Sequence, residues 1–370
     1  MNRAPRRLVL AAALLLSLGV QGRALAAQDS QFGISGLGTP GRFESVRSRA
    51  TAGAFAAFDP LSSLVDAALG WADHLTISTG SATSYRAIEF PDGRTWTRAT
   101  RFPVLGLSGS IGHGITLGGG FATYLDKSFD ISTRDTVDIR GVPVPVIDRY
   151  TSDGAVSDLR LAAAVRISPK LFVGAGMHLL TGSARVRAGR AFPDSSYLDT
   201  FEASELTYDG FGASASVIAV PLPSLSVAAF VRSDTRLRAR ENATLLSRND
   251  LPTTVGAALR WQPRAATTLA ASVVSQSWGS AGANAYSTVN WSVGTEMGRG
   301  MPLRLGVRGG HLPFGPGGRA PSEFGIAGGT GFRFSEGRGL IDLSLEHLSR
   351  NGVGLREQVW TFLVGFTVRP

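Results

Sequence analysis

Trp360-Thr361-Phe362-Leu363-Val364-Gly365-Phe366-Thr367-Val368 brings the chain to its end on an alternating pattern. Trp360, Phe362, Val364, Phe366 and Val368 share one face, while Thr361, Gly365 and Thr367, with Arg369 beyond them, are among the residues on the other. A period of two is the signature of a strand. A strand that is apolar and aromatic on one face and small or polar on the other suits lipid outside and a lumen inside. Such a terminal strand is what the outer-membrane assembly machinery is expected to engage, although here the recognition signal must tolerate the overhang Arg369-Pro370.

The same alternation recurs upstream. Leu159, Leu161, Ala163, Val165 and Ile167 oppose Asp158, Arg160 and Arg166; Leu303, Leu305 and Val307 oppose Arg304 and Arg308; Ile341, Leu343 and Leu345 oppose Asp342, Ser344 and Glu346. The links between strands alternate as well. Short turns at Gly112–Gly114, Ser168–Lys170, Pro221–Ser224, Gln262–Arg264, Gly298–Gly300 and Glu336–Gly339 are separated by longer polar stretches, Asp130–Gly154, Arg185–Gly210, Asp234–Asp250, Gly279–Ser287 and His311–Glu323. Short periplasmic turns, long outer loops and an even number of antiparallel strands define a bacterial outer-membrane barrel. The expected fold is therefore all-β, a transmembrane antiparallel barrel of about 14 strands. Trp71, Trp261, Trp278 and Trp291 fall near strand ends, where a lipid–water belt would place them.

Export is written at the start. Arg3, Arg6 and Arg7 precede the apolar run Leu8–Val20, and Ala24-Leu25-Ala26 offers a small-x-small cleavage site. Residues 1–26 read as a signal peptide, 27–71 as an amino-terminal hatch or plug, and 72–370 as the barrel. The apolar run falls short of the roughly 17 to 25 residues of a spanning helix. A water-soluble sandwich or propeller would need polar faces along its strands, or a repeat of about 40 to 50 residues, and the chain has neither.

Composition agrees. The 370 residues include 46 glycines, 18 prolines and no cysteine, which removes disulfides, thiol catalysis, cysteine-ligated metals and the lipid-bearing cysteine of a lipoprotein. The net charge of +9 falls to +5 once Arg3, Arg6, Arg7 and Arg23 leave with the signal peptide. Scattered charge without a basic helix argues against nucleic acid. His74, His113, His178, His311 and His347 have no zinc-site spacing and stand beside no nucleophile motif, so neither an enzyme, a cofactor nor a metal site is expected.

Ala27 to Trp71 lacks a strand pattern, yet it is too apolar for a free tail, and a barrel lumen is where it could be buried. Its stretch Arg47-Ser48-Arg49-Ala50-Thr51-Ala52-Gly53-Ala54-Phe55-Ala56-Ala57-Phe58-Asp59-Pro60-Leu61-Ser62-Ser63-Leu64-Val65-Asp66-Ala67-Ala68-Leu69 resembles the hatch region of the FadL/TodX family of outer-membrane transporters for long-chain fatty acids and other hydrophobic compounds. Val65-Asp66 stands where that family has Asn-Pro. Leu251–Pro263 with Ser277-Trp278 is similar to the family's mid-barrel hairpin, and Gly339–Val368 to its carboxyl end. The resemblance implies passive uptake of a hydrophobic small molecule, such as a long-chain fatty acid or an aromatic hydrocarbon, past a hatch. It makes Gly53, Phe55, Phe58, Asp59, Ser63, Asp66 and Leu69 hatch candidates.

Arg160, Arg166, Arg232, Arg260, Arg304 and Arg308, with Glu296 and Glu346, have the parity to face the lumen. There the arginines could meet an anionic head group, or could form a salt-bridge lattice with Asp158, Glu296, Asp342 and Glu346. The expected partners are outer-membrane lipid and lipopolysaccharide, a hydrophobic ligand and the assembly machinery, and the expected location is the outer membrane. Two other functions fit the sequence: a general aqueous porin, or a structural or secretion-accessory barrel whose outer loops bind a protein.

Overall fold

The computed structural model describes residues 30–34, 36–62, 64–90, 93–282, 284–315 and 318–370. The expected signal peptide and the hatch candidate Ser63 lie outside the described residues. Fourteen strands run in chain order: β1 (Thr76–Phe90), β2 (Gly93–Gly112), β3 (Ile115–Asp126), β4 (Val142–Ser168), β5 (Leu171–Ala191), β6 (Thr200–Leu222) and β7 (Leu225–Asp234). They continue as β8 (Thr253–Arg264), β9 (Thr267–Gln276), β10 (Thr288–Met297), β11 (Leu303–His311), β12 (Ser322–Phe334), β13 (Gly339–Gly352) and β14 (Leu355–Val368).

Each strand pairs antiparallel with the next, and β14 returns to β1 from Val368↔Ile77 to Arg356↔Glu89, closing the sheet. Closure leaves no unpaired edge at membrane depth, which lipid would not tolerate. The alternation read from the sequence sets the two faces. Leu159, Leu161, Leu303, Leu305, Phe362 and Phe366 are exposed on the outside, whereas their neighbours Arg160, Arg304 and Thr361 are buried inside.

The inner turns are tight. His113 and Gly114, at φ 54° and 74°, join β2 to β3 in the left-handed region that a two-residue hairpin with matching twist requires. The outer side differs from the sequence reading. Much of Asp130–Gly154, Arg185–Gly210 and Asp234–Asp250, expected as loops, is strand. Phe129–Ile139 folds back on β4 through Arg140-Gly141, β5 and β6 run on past the membrane, and Leu237–Glu241 pairs with Thr244–Asn249. β4 alone has 27 residues, about 90 Å at ~3.3 Å per residue. Beyond the lipid band charged residues occupy both parities of this arm, as at Asp148 and Arg149, so although Val144, Val146 and Asp148 are buried it looks like loop to a reading based on hydropathy. Cross-strand pairs such as Arg190–Asp148 (2.7 Å) and Arg236–Asp250 (2.8 Å) stand where an apolar face would be.

The tryptophan belt is also only partly as expected. Trp261 and Trp291 point outward, but Trp278 is buried edge-on against Phe314 and Trp71 stacks on Phe58. The latter two lie outside the strands, so strand parity does not govern them.

Residues 30–72 precede β1 and pack on the inward faces of the strands. Thr39–Pro40 pairs with Asp126 and Leu125 at the outer end of β3, Val46–Arg49 forms one helical turn capped by Ser45, and Asp66–Trp71 forms a 3-10 turn against β4 and β5.

Candidate functional site

The amino-terminal segment is first held to itself. Asp59, 3% exposed, accepts from the Ser48 hydroxyl (2.7 Å), from Leu61 N (3.0 Å) and from the Ser45 hydroxyl, while Ser45 Oγ in turn accepts from Ser48 N. One carboxylate thus organises the turn from residue 45 to residue 62. A buried carboxylate is tolerated only with such donors around it. Gly53, at φ 92°, lets the chain leave the helical turn in a conformation that a side chain resists.

It is next tied to the wall. Arg160 on β4 grips Asp66 Oδ1 through Nε (2.8 Å) and Nη2 (2.6 Å), Ser214 Oγ donates to Asp66 Oδ2 (2.7 Å), and Ala67 N donates to Ser216 Oγ (2.9 Å). Glu346 on β13 receives Arg49 Nε (3.0 Å) and Arg42 Nη1 (3.1 Å). Glu296 on β10 receives Arg47 through two bonds (3.0 and 3.1 Å) and Arg304 (2.8 Å), and Arg304 also reaches Asp342 (2.6 Å). Nearer the outer rim, Ser30 Oγ and Gln31 N donate to Glu357 at 2.8 and 2.7 Å.

Apolar packing fills the remainder. Phe58, Val65, Ala67 and Ala68 share a core with Phe172, Ile218 and Phe230, Leu69 packs on Ala162 and Ala164, and Phe55 on Ala270. The wall admits the segment by omitting side chains. A Cβ on Gly174 would lie 2.3 Å from Ala67 N, and one on Gly306 would lie 2.2 Å from the Thr51 carbonyl. Gly174→Val or Gly306→Val should therefore lift the segment from the wall. The expected result is faster proteolysis within residues 42–72 in a barrel that keeps its heat-modifiable migration, while Gly93→Val, where a Cβ meets nothing within 4 Å, should change neither.

The structure separates the six candidate arginines into two groups. Arg160, Arg232, Arg304 and Arg308 are held by carboxylates: Asp66; Asp158 (2.6 Å) and Asp234 (2.9 Å); Glu296 and Asp342; and Glu323. Arg232 also lies 5.5 Å from the Phe43 ring and 5.0 Å from the Tyr124 ring, which contact each other. Arg166 and Arg260 instead lie over Phe172 (5.6 Å) and Trp71 (5.5 Å) at the inner mouth, beneath the segment. Both Glu296 and Glu346 receive arginines of the segment, so the lattice extends across the boundary between segment and wall.

Residues that sequence reading passed over complete this lattice. Arg42, Arg47 and Arg49 precede the strands, where no parity assigns a side, so nothing in the sequence matched them to Glu296 and Glu346. His178 had no local signal. It is buried with Nδ1 2.9 Å from Asp158 and Nε2 2.9 Å from Ser214 Oγ. That is the spacing of a nucleophile, base and orienting acid. Asp66, however, is an acceptor only, so the Ser214 proton points at Asp66 and not at the imidazole. The serine is a link between segment and wall. Among the described residues no group of three or more potential metal ligands occurs.

Above the segment, on the outer side, lies a cavity of about 190 Å³. Its floor is Arg42, Phe43 and Glu44, and its walls include Tyr124, Phe230 and Trp278. Beside it, beyond the end of β3, Lys127 reaches the Leu37 carbonyl (3.3 Å) and lies 4.8 Å from the Tyr208 ring. Burial pushes its amine down to about 8 from 10.5. The folded state then binds fewer protons than the unfolded state between those values, so stability rises with pH through that window. Thermal unfolding followed from pH 7.5 to 10.5 should show that rise, and Lys127→Met should flatten it.

The chain is thus a closed fourteen-strand transmembrane barrel with an amino-terminal segment packed on its inward faces. No protein-family model matches the chain, and no curated protein matches it in sequence. Solved structures do match in fold. A Pseudomonas aeruginosa FadL homologue superimposes with a TM-score of 0.62 at 13% identity, covering 90% of this chain and 100% of that one. The P. putida toluene transporter TodX gives 0.57 at 14% identity, covering 91% and 99%, and the CymD monoaromatic hydrocarbon channel gives 0.57 at 13%, covering 90% and 98%.

Proposed function

We propose that the protein is an outer-membrane channel for passive uptake of hydrophobic small molecules, with residues 30–72 as a plug in its lumen. The observation that carries this reading is the density of polar and apolar contacts between that segment and the inward faces of the wall, from Asp66–Arg160 to Phe58–Phe172. An aqueous porin has no use for such a segment. The outer cavity supports a small ligand. Its roughly 190 Å³ is slightly above the ~150 Å³ of an engineered protein cavity that accepts benzene, and the aromatic side chains Phe43, Tyr124, Phe230 and Trp278 line it. A single substituted ring fits that volume better than a long acyl chain. Because Arg232 and Arg308 already hold carboxylates, an uncharged ligand is favoured over an anionic one.

The chain would present its alternating β14 to the assembly machinery. On the outward face, Arg94 over Trp96 and Arg98 over Tyr85 would meet lipopolysaccharide phosphates. Proteoliposomes provide the test of uptake. Entry of radiolabelled toluene or fatty acid above that of empty vesicles, without swelling in sugars, is the expected result; swelling in sugars with no gain for hydrocarbon would establish the porin instead.

A further inference from the structure

The inner rim of the barrel has a charge distribution unlike that of the outer arm. Arg264 ends β8 beside the β8–β9 turn, Arg299 lies in the β10–β11 turn, Arg338 in the β12–β13 turn and Arg369 directly after β14. The four follow one another around the rim, and backbone bonds join them in two pairs: Gly298 N donates to Ala266 O (2.8 Å) and Arg369 N to Arg338 O (2.7 Å). Arg264, Arg299 and Arg338 are exposed and Arg369 is half-buried. Among the described residues none of the four is paired with a carboxylate, and Glu336 is the only acid in these turns. The outer arm is the reverse, with Arg149, Arg190, Arg236 and Arg240 each on an aspartate. Across the ring, the β2–β3 and β6–β7 turns, Gly112–Gly114 and Pro221–Ser224, contain no Arg, Lys, Asp or Glu, and Lys170 stands alone between them.

A second observation sets the height of the arc. Trp261, Met301, Leu303, Phe334 and Val368 are all exposed on the outward face next to the same turns. They belong to the lipid-facing band, and tryptophan among them marks its boundary. The arginines therefore stand where acyl chains give way to head groups, with apolar stems against the band and guanidinium forks beyond it. A guanidinium fork matches phosphate oxygens two at a time.

We infer that the arc from β8 to β14 binds the phosphate head groups of anionic phospholipid in the inner leaflet, and that the opposite side of the rim does not. The barrel thereby has a lipid-selective side. The inference does not depend on the plug or on what the channel carries. It requires only the barrel and its orientation.

The chain has no cysteine, so one introduced thiol is a unique labelling site. Met301→Cys places a fluorophore at the centre of the arc, and Ile111→Cys places one on the β2–β3 side; both positions are exposed and outward. The labelled proteins are reconstituted in phosphatidylcholine vesicles containing nitroxide-labelled phosphatidylglycerol or nitroxide-labelled phosphatidylcholine. At position 301 the anionic lipid should quench about threefold or more above the zwitterionic one, an advantage that fades at roughly 0.5 M salt. At position 111 the two should quench alike. The fourfold variant Arg264→Gln, Arg299→Gln, Arg338→Gln, Arg369→Gln should lose the preference while keeping heat-modifiable migration. If that variant fails to insert, the salt titration on the unsubstituted rim decides. Equal quenching at position 301, an equal preference at position 111, or a preference that survives both the substitutions and salt would overturn the inference. The first of these would leave the arc to an acidic soluble partner.

Discussion

A chain beginning at Asp73 is expected to form an open pore where the full mature chain forms a closed one. The pairings that close the wall, including β14 with β1, involve no residue before Thr76, and the segment adds to the sheet only the short pairing of Thr39–Pro40 with β3. The wall should therefore assemble without it. What the deletion removes is the material filling the lumen: the cluster of Phe58, Val65, Ala67 and Ala68 with the wall, and the arginines that neutralise Glu296 and Glu346. Barrels of 16 to 18 strands leave an aqueous channel and barrels of about eight are filled by side chains, so an emptied lumen of this intermediate size should conduct, with a rise of at least about tenfold. Single-channel recording in planar bilayers makes the comparison. Large steady conductance in both chains would remove the plug from the account and leave a porin.

The second large effect should come from one side chain. Asp66→Ala leaves the Arg160 guanidinium, 3% exposed, without its carboxylate, and an uncompensated buried charge costs about 3–5 kcal/mol. Ser214 loses its acceptor at the same time. Because the wall is held by continuous strand pairing, the cost should appear as release of the segment and not as unfolding: bursts of conductance and rapid cleavage near residues 60–70, with the barrel intact by circular dichroism. Asp66→Leu combined with Arg160→Met removes both charges and should restore most of the closed behaviour, since an apolar pair of similar volume does not carry the desolvation cost. If the double variant were as leaky as Asp66→Ala, the ion pair would be acting through geometry that the apolar pair cannot reproduce, and the charge argument would fail.

Legibility differed between parts of the molecule for a physical reason. Wherever one face of a strand meets lipid and the other the lumen, each successive side chain reports its side, so β4 at Leu159–Ile167 and β14 at Trp360–Val368 could be read residue by residue. The outer arm stands beyond the lipid, and charged residues such as Asp148 and Arg149 occupy both of its faces. Its strands at Phe129–Ile139 and Arg185–Ala191 carry no such report and were expected as loop. Trp71 and Trp278 were misplaced because they leave the strand, and with it the rule of alternation. In the lumen, parity could say that Arg160 and Arg304 point inward but not which acid each would meet. Asp66 and Arg160 are ninety-four positions apart, and nothing local ties them.

The linear chain thus determined the architecture on its own: strand number, the inner turns, the direction each wall residue faces and the placement of an apolar segment ahead of the wall. A bilayer imposes period two on every crossing, and that constraint is local. Pairing across the lumen is not local. Which carboxylate neutralises which guanidinium, that Asp59 gathers Ser45 and Ser48, that Gly174 and Gly306 clear space for backbone, and that four arginines from separate turns form one arc on the inner rim depend on how the closed sheet brings distant positions together. Only the tertiary structure decided those, because closure of the ring sets each of these separations.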